Sequence, residues 1–148
     1  MHRIIATGLS IGYIGKGGGT VAAAACCLAW YLAFSGGVDP LVAVLVTVII
    51  TDLGVWAADA VEPLWGEDSP RVVIDEIAGM CISLLFLPVT LATVLVGFVL
   101  FRFFDIAKPL YIRRAEGIPG GWGVMADDLL AGLYANVILQ VAVRLFPL

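Results

Sequence analysis

Apolar residues run in long unbroken stretches along this chain, and polar residues collect in short islands between them. The first strong run, residues 20–35, reads TVAAAACCLAWYLAFS, is closed by Gly36 and Gly37, and carries Trp30 and Tyr31, aromatics suited to a membrane interface. It predicts a first helix. After the turn residues Asp39 and Pro40, residues 41–58 are apolar apart from Thr47, Thr51 and Asp52, and predict a second helix running back. The stretch DAVEPLWGEDSPRVV that follows is punctuated by Pro63, Gly66 and Pro70 and reads as a surface connection.

Residues 74–104 are too long for one ordinary span, and Pro88 near their middle marks a turn or sharp kink. Read as a turn, it divides the stretch into helices over 74–87 and 89–104. At about 1.5 Å per residue the first arm covers roughly 21 Å, short of a hydrocarbon core of about 30 Å, so this hairpin need not reach the far surface. A last run, residues 129–146, predicts a fifth helix. No internal repeat stands out. The pattern predicts an all-α, polytopic membrane helical bundle of about four to five membrane helices, with a short hairpin broken at Pro88, forming a single domain over residues 1–148.

Composition agrees with a membrane protein: of 148 residues 61% are hydrophobic and only 14% charged, less charge than a soluble domain carries. The formal charge of -4 is spread over islands, which leaves no basic face for nucleic acid. The start, MHRIIATGLSIGYIGKGGG, is glycine-broken and does not read as a cleaved signal peptide. Cys26, Cys27 and Cys81 lie in apolar runs, as buried thiols do, and His2 at the terminus is given no catalytic role. With five helices, Arg3, Lys16, Arg71, Arg102, Lys108, Arg113 and Arg114 fall on one side and only Arg144 on the other. The positive-inside rule makes the basic side cytoplasmic.

Carboxylates gather at predicted helix ends on that same side: Asp75 and Glu76 opening the third helix, Asp105 ending the fourth, Asp127 and Asp128 opening the fifth. Acidic caps would explain either opening pair, since carboxylates accept from free N–H groups at helix starts. Asp105, at a C-terminal end, is disfavoured there and calls for a compensating positive charge. Arg102, Asp105 and Lys108 at i, i+3 and i+6 share one helical face, either as an ion-pair ladder or as part of a site. In the second reading the acids of three helix ends hold a divalent cation while Arg102 and Lys108 hold a phosphate. A donor set of oxygens alone suits Mg²⁺.

The glycine-rich entry GYIGKGGGT, residues 12–20, could offer backbone N–H groups and Lys16 to a phosphate, or be a flexible linker; it fits neither the P-loop nor the G-x-G-x-x-G pattern. PGGWG at 119–123 reads as a turn. Asp52, inside a span, is expected to have a hydrogen-bonded structural role.

Four blocks, GKGGGTVAA (15–23), VIDEIAGM (73–80), FRFFDIAKP (101–109) and GGWGVMADDLLAG (120–132), resemble the bacterial phosphatidylglycerophosphatase A family, in order and across nearly the whole chain. The resemblance implies Mg²⁺-dependent removal of the terminal phosphate from phosphatidylglycerol phosphate, in a multi-pass protein of the bacterial inner membrane whose site faces the cytoplasm. By position the family's acids fall on Asp75, Glu76, Asp105, Asp127 and Asp128, the expected metal ligands, with Glu76, Asp105 and Asp128 the expected catalytic acids. Its basic residues fall on Arg102 and Lys108, and its threonine on Thr20, which with Lys16 complete the expected phosphate-binding set. Gly18 stands where members often have proline, and Pro119 where many have a histidine or polar residue, which argues against histidine acid catalysis. Some members of the wider family are soluble helical proteins, but the apolar runs here favour a membrane. The expected partners are the phospholipid substrate and the membrane, with a homo-oligomer left open. A cation-activated water is the favoured nucleophile over an attacking aspartate, and no D-x-D-x-[TV] pattern is present. Two other classes remain as alternatives. A small transporter or ion-pathway protein would spread its charges toward both faces, and a lipid-binding assembly factor would account for the basic residues but not the acids.

Overall fold

Glycines, prolines and polar islands divide the apolar runs into helices. In the computed structural model, which describes residues 1–109 and 111–148, α1 (His2–Ala6) and a 3₁₀ turn (Ile11–Ile14) lead into α2 (Gly18–Phe34), α3 (Pro40–Trp65) and α4 (Ile74–Leu84). Then come α5 (Leu91–Ala107), the single turn α6 (Ile112–Ala115) and α7 (Gly121–Leu145). The fold is all-α, and the five predicted helices correspond to α2, α3, α4, α5 and α7.

Several predicted ends move. α3 runs on to Trp65, past the expected end at 58 and through Pro63, so half of the supposed surface connection is helix. Pro63 lies in the last turn, where it removes only one bond near an end that Gly66 closes. α7 begins at Gly121, eight residues before the expected start at 129. α4 stops at Leu84 because Leu85 is extended and Phe86 takes a left-handed φ of 61°, so the break is the whole 85–90 segment and not Pro88 alone. Thr90 then caps α5 by accepting from the Thr93 N–H at 3.1 Å.

Among the described residues only α3 and α7, of 26 and 25 residues, are long and apolar enough to cross a membrane, rather than the four to five helices expected. α2 and α5 have 17 residues each, about 25 Å, and α4 has 11, about 16 Å. The apolar windows of α3 and α7 are each only 28% buried. Leu45, Val48 and Ile49 on α3 and Val137, Ile138 and Val141 on α7 therefore point outward, as do Leu28 and Leu32 on α2 and Leu95 and Val99 on α5. The core helix of a water-soluble protein would bury these side chains, so the pattern is that of a membrane-associated protein.

α4 sits at the centre, packed against α2, α3, α5 and α7. The surrounding helices touch in the order α2, α5, α7, α3, and the ring parts between α3 and α2. A cavity of about 510 Å³ lies there, lined by Trp30, Val46, Ile50, Ile77 and Cys81 among others, with Ile4 and Ile5 of α1 on its wall.

The α4–α7 crossing sets the geometry of everything that follows. A Cβ on Gly132 would stand 2.3 Å from the Gly79 carbonyl oxygen, and one on Gly79 would stand 2.5 Å from the Asp128 carbonyl oxygen. The two backbones approach this closely only because both positions lack a side chain. One turn before each glycine stands an acid, Asp75 and Asp128; one turn after stand Ser83 and Asn136. Each of these pairs is separated by 53 positions, the spacing of the Asn136–Ser83 hydrogen bond. The helices therefore run parallel and in register, with the acids paired at the same level. At the other end, Asn136 Nδ2 donates to the Ser83 and Leu85 carbonyls at 3.1 and 2.8 Å, and Gln140 Nε2 donates to Leu85 and Phe86 at 3.2 and 3.3 Å. These amides satisfy carbonyls that a short helix ending within an apolar bundle leaves unpaired.

Candidate active site

The acids converge at one end of the bundle, and each is placed by a different local device. Asp75 and Glu76 occupy the first turn of α4, where free N–H groups favour negative charge. Asp127 and Asp128 do not open a helix as expected. They lie two turns inside α7, too deep for capping, which removes the structural explanation weighed for that pair. The start of α7 is capped instead by Asp59 of α3, whose Oδ1 accepts from the Gly121 N–H. PGGWG is thus more than a turn: a Cβ on Gly121 would meet the Val55 carbonyl at 2.3 Å and one on Gly123 the Ile118 carbonyl at 1.7 Å. Asp59 went unnoticed in the sequence because its partner lies 62 positions away. Asn136 and Gln140 were missed for the same reason, although two amides four residues apart in an apolar helix were a signal.

Asp105 lies in the last turn of α5 and receives the positive charge expected of it, in an ion pair with Arg102. The ladder does not continue to Lys108. That residue is the left-handed C-cap of α5, with φ 47° and ψ 52°, ahead of Pro109. Its ammonium turns away to Asp127 at 2.7 Å and to Glu116. Burial alone would lower the Lys108 pKa, but the hydrogen bonds and charges of Asp127 and Glu116 outweigh it and hold the ammonium above the usual lysine range.

Two sets of carboxylates result. Asp75, Glu76 and Asp128 can each offer an oxygen such that all lie within 4.8 Å of one another, and so can Asp105, Asp127 and Asp128. Asp128, 2% exposed, belongs to both. Among the described residues no donor reaches Asp75 Oδ1, Glu76 Oε2 or Asp128 Oδ2, and Arg102 Nε finds no acceptor. Burial, then the charges of Glu76 and Asp128, push the Asp75 carboxyl well above the usual range. Burial raises Glu76 as well, with Asp105 adding to the rise, against the lowering effect of a hydrogen bond with Asp75 and the charge of Arg102. Crowded, desolvated carboxylates with free oxygens and no nitrogen or sulfur donors are suited to a hard divalent cation such as Mg²⁺.

The glycine entry adjoins this cluster: a Cβ on Gly19 would lie 2.2 Å from Glu76 Oε1. Lys16 and Thr20, which flank Gly19 in the sequence, are exposed and make no side-chain hydrogen bond among the described residues. Asp52 is exposed on α3 in a cleft with Thr47 and Ile82, and the hydrogen-bonded role expected for it is not found among the described residues. Cys26 and Cys81 are free thiols 3.6 Å apart, and Cys27 is buried.

A helical, membrane-associated protein with an acidic cluster suited to a divalent cation, flanked by an arginine and a lysine at one end of its bundle, defines a class: proteins equipped to handle phosphate esters at a bilayer surface. A family model described as "PgpA: Phosphatidylglycerophosphatase A" matches residues 4–143, and the chain belongs to that family. It is 40% identical over 147 residues to a Bacteroides thetaiotaomicron protein named "Putative phosphatidylinositol-3-phosphatase", covering 94% of this chain and 91% of that one. It is 42% identical over 74 residues to the phosphatidylglycerophosphatase A of Haemophilus influenzae, covering 49% of this chain and 45% of the relative. To the Escherichia coli phosphatidylglycerophosphatase A it is 40% identical over 83 residues, covering 55% and 48%. No solved structure gave a significant match. Membership in a phosphatase family points to an enzyme, a phospholipid substrate and a membrane setting.

Proposed function

We propose that this chain, acting as one catalytic unit over residues 1–148, is a Mg²⁺-dependent lipid phosphatase that hydrolyses phosphatidylglycerol phosphate to phosphatidylglycerol and phosphate. It would do so at the cytoplasmic face of a bacterial inner membrane. The observation that carries this reading is the convergence of unpartnered buried oxygens on Asp75, Glu76 and Asp128 with the unpartnered Nε of Arg102, beside Lys108. These are acceptors for a cation and a donor for an anion in one place.

The five acids Asp75, Glu76, Asp105, Asp127 and Asp128 would hold the cation. When bound, Mg²⁺ supplies charge neutralisation at the phosphate and polarisation of water. The chain's own residues do the rest. Arg102, with Nη1 engaged by Asp105, keeps Nε for a phosphate oxygen. Lys108 has three donors and uses two on Asp127 and Glu116, leaving one for the same phosphate. Lys16, Thr20 and the backbone N–H groups at the start of α2, where Gly19 lies against Glu76, would steady the headgroup. One of Glu76, Asp105 and Asp128 takes the proton of the attacking water as its oxygen bonds to phosphorus; the bond from phosphorus to the glycerol oxygen breaks, and that oxygen leaves as a hydroxyl after gaining a proton. Water is favoured over an aspartate nucleophile because acids crowded around a cation serve better as ligands and base.

The transporter alternative would distribute charge toward both faces. Here the acidic sets and their cations lie at one end, with Asp52 alone among the ionisable residues near the middle of α3. A second substrate reading, a phosphoinositide 3-phosphate, is motivated by the name of the Bacteroides relative, which aligns with nearly all of the chain. Phosphate release from each lipid in detergent micelles, with Mg²⁺ and with EDTA, decides both points. Mg²⁺-dependent turnover of phosphatidylglycerol phosphate ahead of phosphatidylinositol 3-phosphate is expected. The reverse preference would transfer the assignment to the inositol lipid, and no release from either would end the phosphatase reading.

A further inference from the structure

We infer that the acidic cluster is a two-cation centre in which Asp128 bridges two unequal sites, a tight one at Asp75 and Glu76 and a weaker one at Asp105 and Asp127. The inference rests on the proposed phosphatase reading and deepens it.

The five acids do not form one set. Oxygens of Asp75, Glu76 and Asp128 come within 4.8 Å of one another, and so do those of Asp105, Asp127 and Asp128, with Asp128 common to both. No group of oxygens this close together takes in all five acids, so one compact Mg²⁺ ion, with bonds of about 2.1 Å, does not draw on all of them at once. Asp75 and Asp128, 8% and 2% exposed, each keep a buried oxygen that no donor among the described residues reaches, a second observation that points to a cation at the first set.

The inequality follows from the ion pairs. In the second set Asp105 is already paired with Arg102 and Asp127 with Lys108. In the first set neither Asp75 nor Glu76 has a basic partner within salt-bridge distance among the described residues. With no lysine or arginine to displace, the first set holds its ion more strongly. The second competes with two resident cations and gains most when a substrate phosphate draws Arg102 and Lys108 toward itself, since Mg²⁺ is commonly shared between carboxylates and phosphate. A carboxylate common to both sites fits the separation of about 3.5–4 Å seen in two-metal phosphoryl chemistry.

The test is a Mn²⁺ titration of the full chain in detergent, followed by calorimetry and electron paramagnetic resonance, with phosphate release measured in parallel. Two equivalents are expected, the second binding about tenfold or more weaker, the scale of one lost charged contact. As the second ion fills, exchange coupling through the shared carboxylate should erase the isolated-ion spectrum. Asp75→Asn should remove the tight equivalent and leave one weak ion, while Asp105→Asn should keep the tight ion and lose the weak one. Asp128→Asn should abolish the coupling, with circular dichroism showing each variant folded. One equivalent at saturation with Mg²⁺-dependent turnover intact would overturn the two-cation centre and leave the phosphatase reading standing. Two ions without coupling would overturn the bridge. Absence of binding together with metal-independent phosphate release would bring down the metal reading itself.

Discussion

An aspartate that is 2% exposed and has an oxygen beyond the reach of any described donor is expensive to keep, because a desolvated charge without a partner destabilises the fold around it. Asp128 is therefore expected to matter more for turnover than for stability. Asp128→Asn should lower phosphate release about a hundredfold or more, since several kcal/mol of charge stabilisation is at stake and about 1.4 kcal/mol is a factor of ten. Its helical circular dichroism should be unchanged; near-normal turnover would return Asp128 to a structural role. The raised pKa of Asp75 gives a second expectation for the metal-free protein. A carboxyl whose folded value lies above its ordinary 3.8 binds more protons in the native state than in the unfolded one. Stability in EDTA should be greatest below that value and fall as pH rises through the higher, folded one, and saturating Mg²⁺ should remove the decline. Thermal melts across pH with and without Mg²⁺ check this, and a metal-free stability that climbs with pH would contradict it. The five clustered acids were legible in the sequence, because in a chain only 14% charged they stand in pairs or beside a basic residue at predicted helix ends. Asp59, Asn136 and Gln140 were not, because each acts on a backbone group more than fifty positions away.

At the scale of elements, α4 and α7 each carry an aspartate, two larger residues, an alanine and a glycine, DEIAG at 75–79 and DLLAG at 128–132, with Ala78 and Ala131 fully buried. The match is too short to register as a repeat, yet it is what brings the helices together in register. Gly132→Ala would drive a methyl group against the Gly79 carbonyl, a backbone atom that cannot step aside. The variant should lose about 1–3 kcal/mol through overpacking and most of its turnover, because Asp75 and Asp128 separate with the helices. Gly36→Ala, with nothing within 4 Å of the new carbon, is the control and should melt and turn over as the parent does. Equal behaviour of the two variants would sink the argument. Helix existence was legible from the apolar runs, but the ends were not: α7 starts eight residues early because Asp59 caps a glycine-rich stretch that by itself reads as a breaker.

For the whole molecule, the gathering of charge at one end was legible from the order of the spans, and the Gly121–Asp59, Gly19–Glu76 and Lys108–Asp127 contacts join the helix ends concerned. Single cysteines introduced at Asp68 and Glu116 in a cysteine-free background should resist a membrane-impermeant reagent in intact cells, while one at Phe146 should react. Rapid labelling at 68 or 116 would reverse the proposed orientation. The number of membrane-crossing helices was overestimated because apolar composition does not tell a helix that crosses a bilayer from one sheltered among neighbours. α4, at about 16 Å, is of the second kind.

That short central helix has a consequence for biogenesis. Its final carbonyls are satisfied by Asn136 and Gln140, which a ribosome reaches some fifty residues after it has finished α4. Until then the α4–α5 hairpin has no amide donors for its inner end and no Gly132 groove to lie in. A nascent chain released before residue 136 would hold Asp75, Glu76, Asp105, Asp127 and Asp128 with nothing to anchor the inner end of the helix that brings two of them together. The acidic end is thus expected to assemble only after translation has passed α7, although Asp75 and Glu76 are made about fifty residues before Asp128.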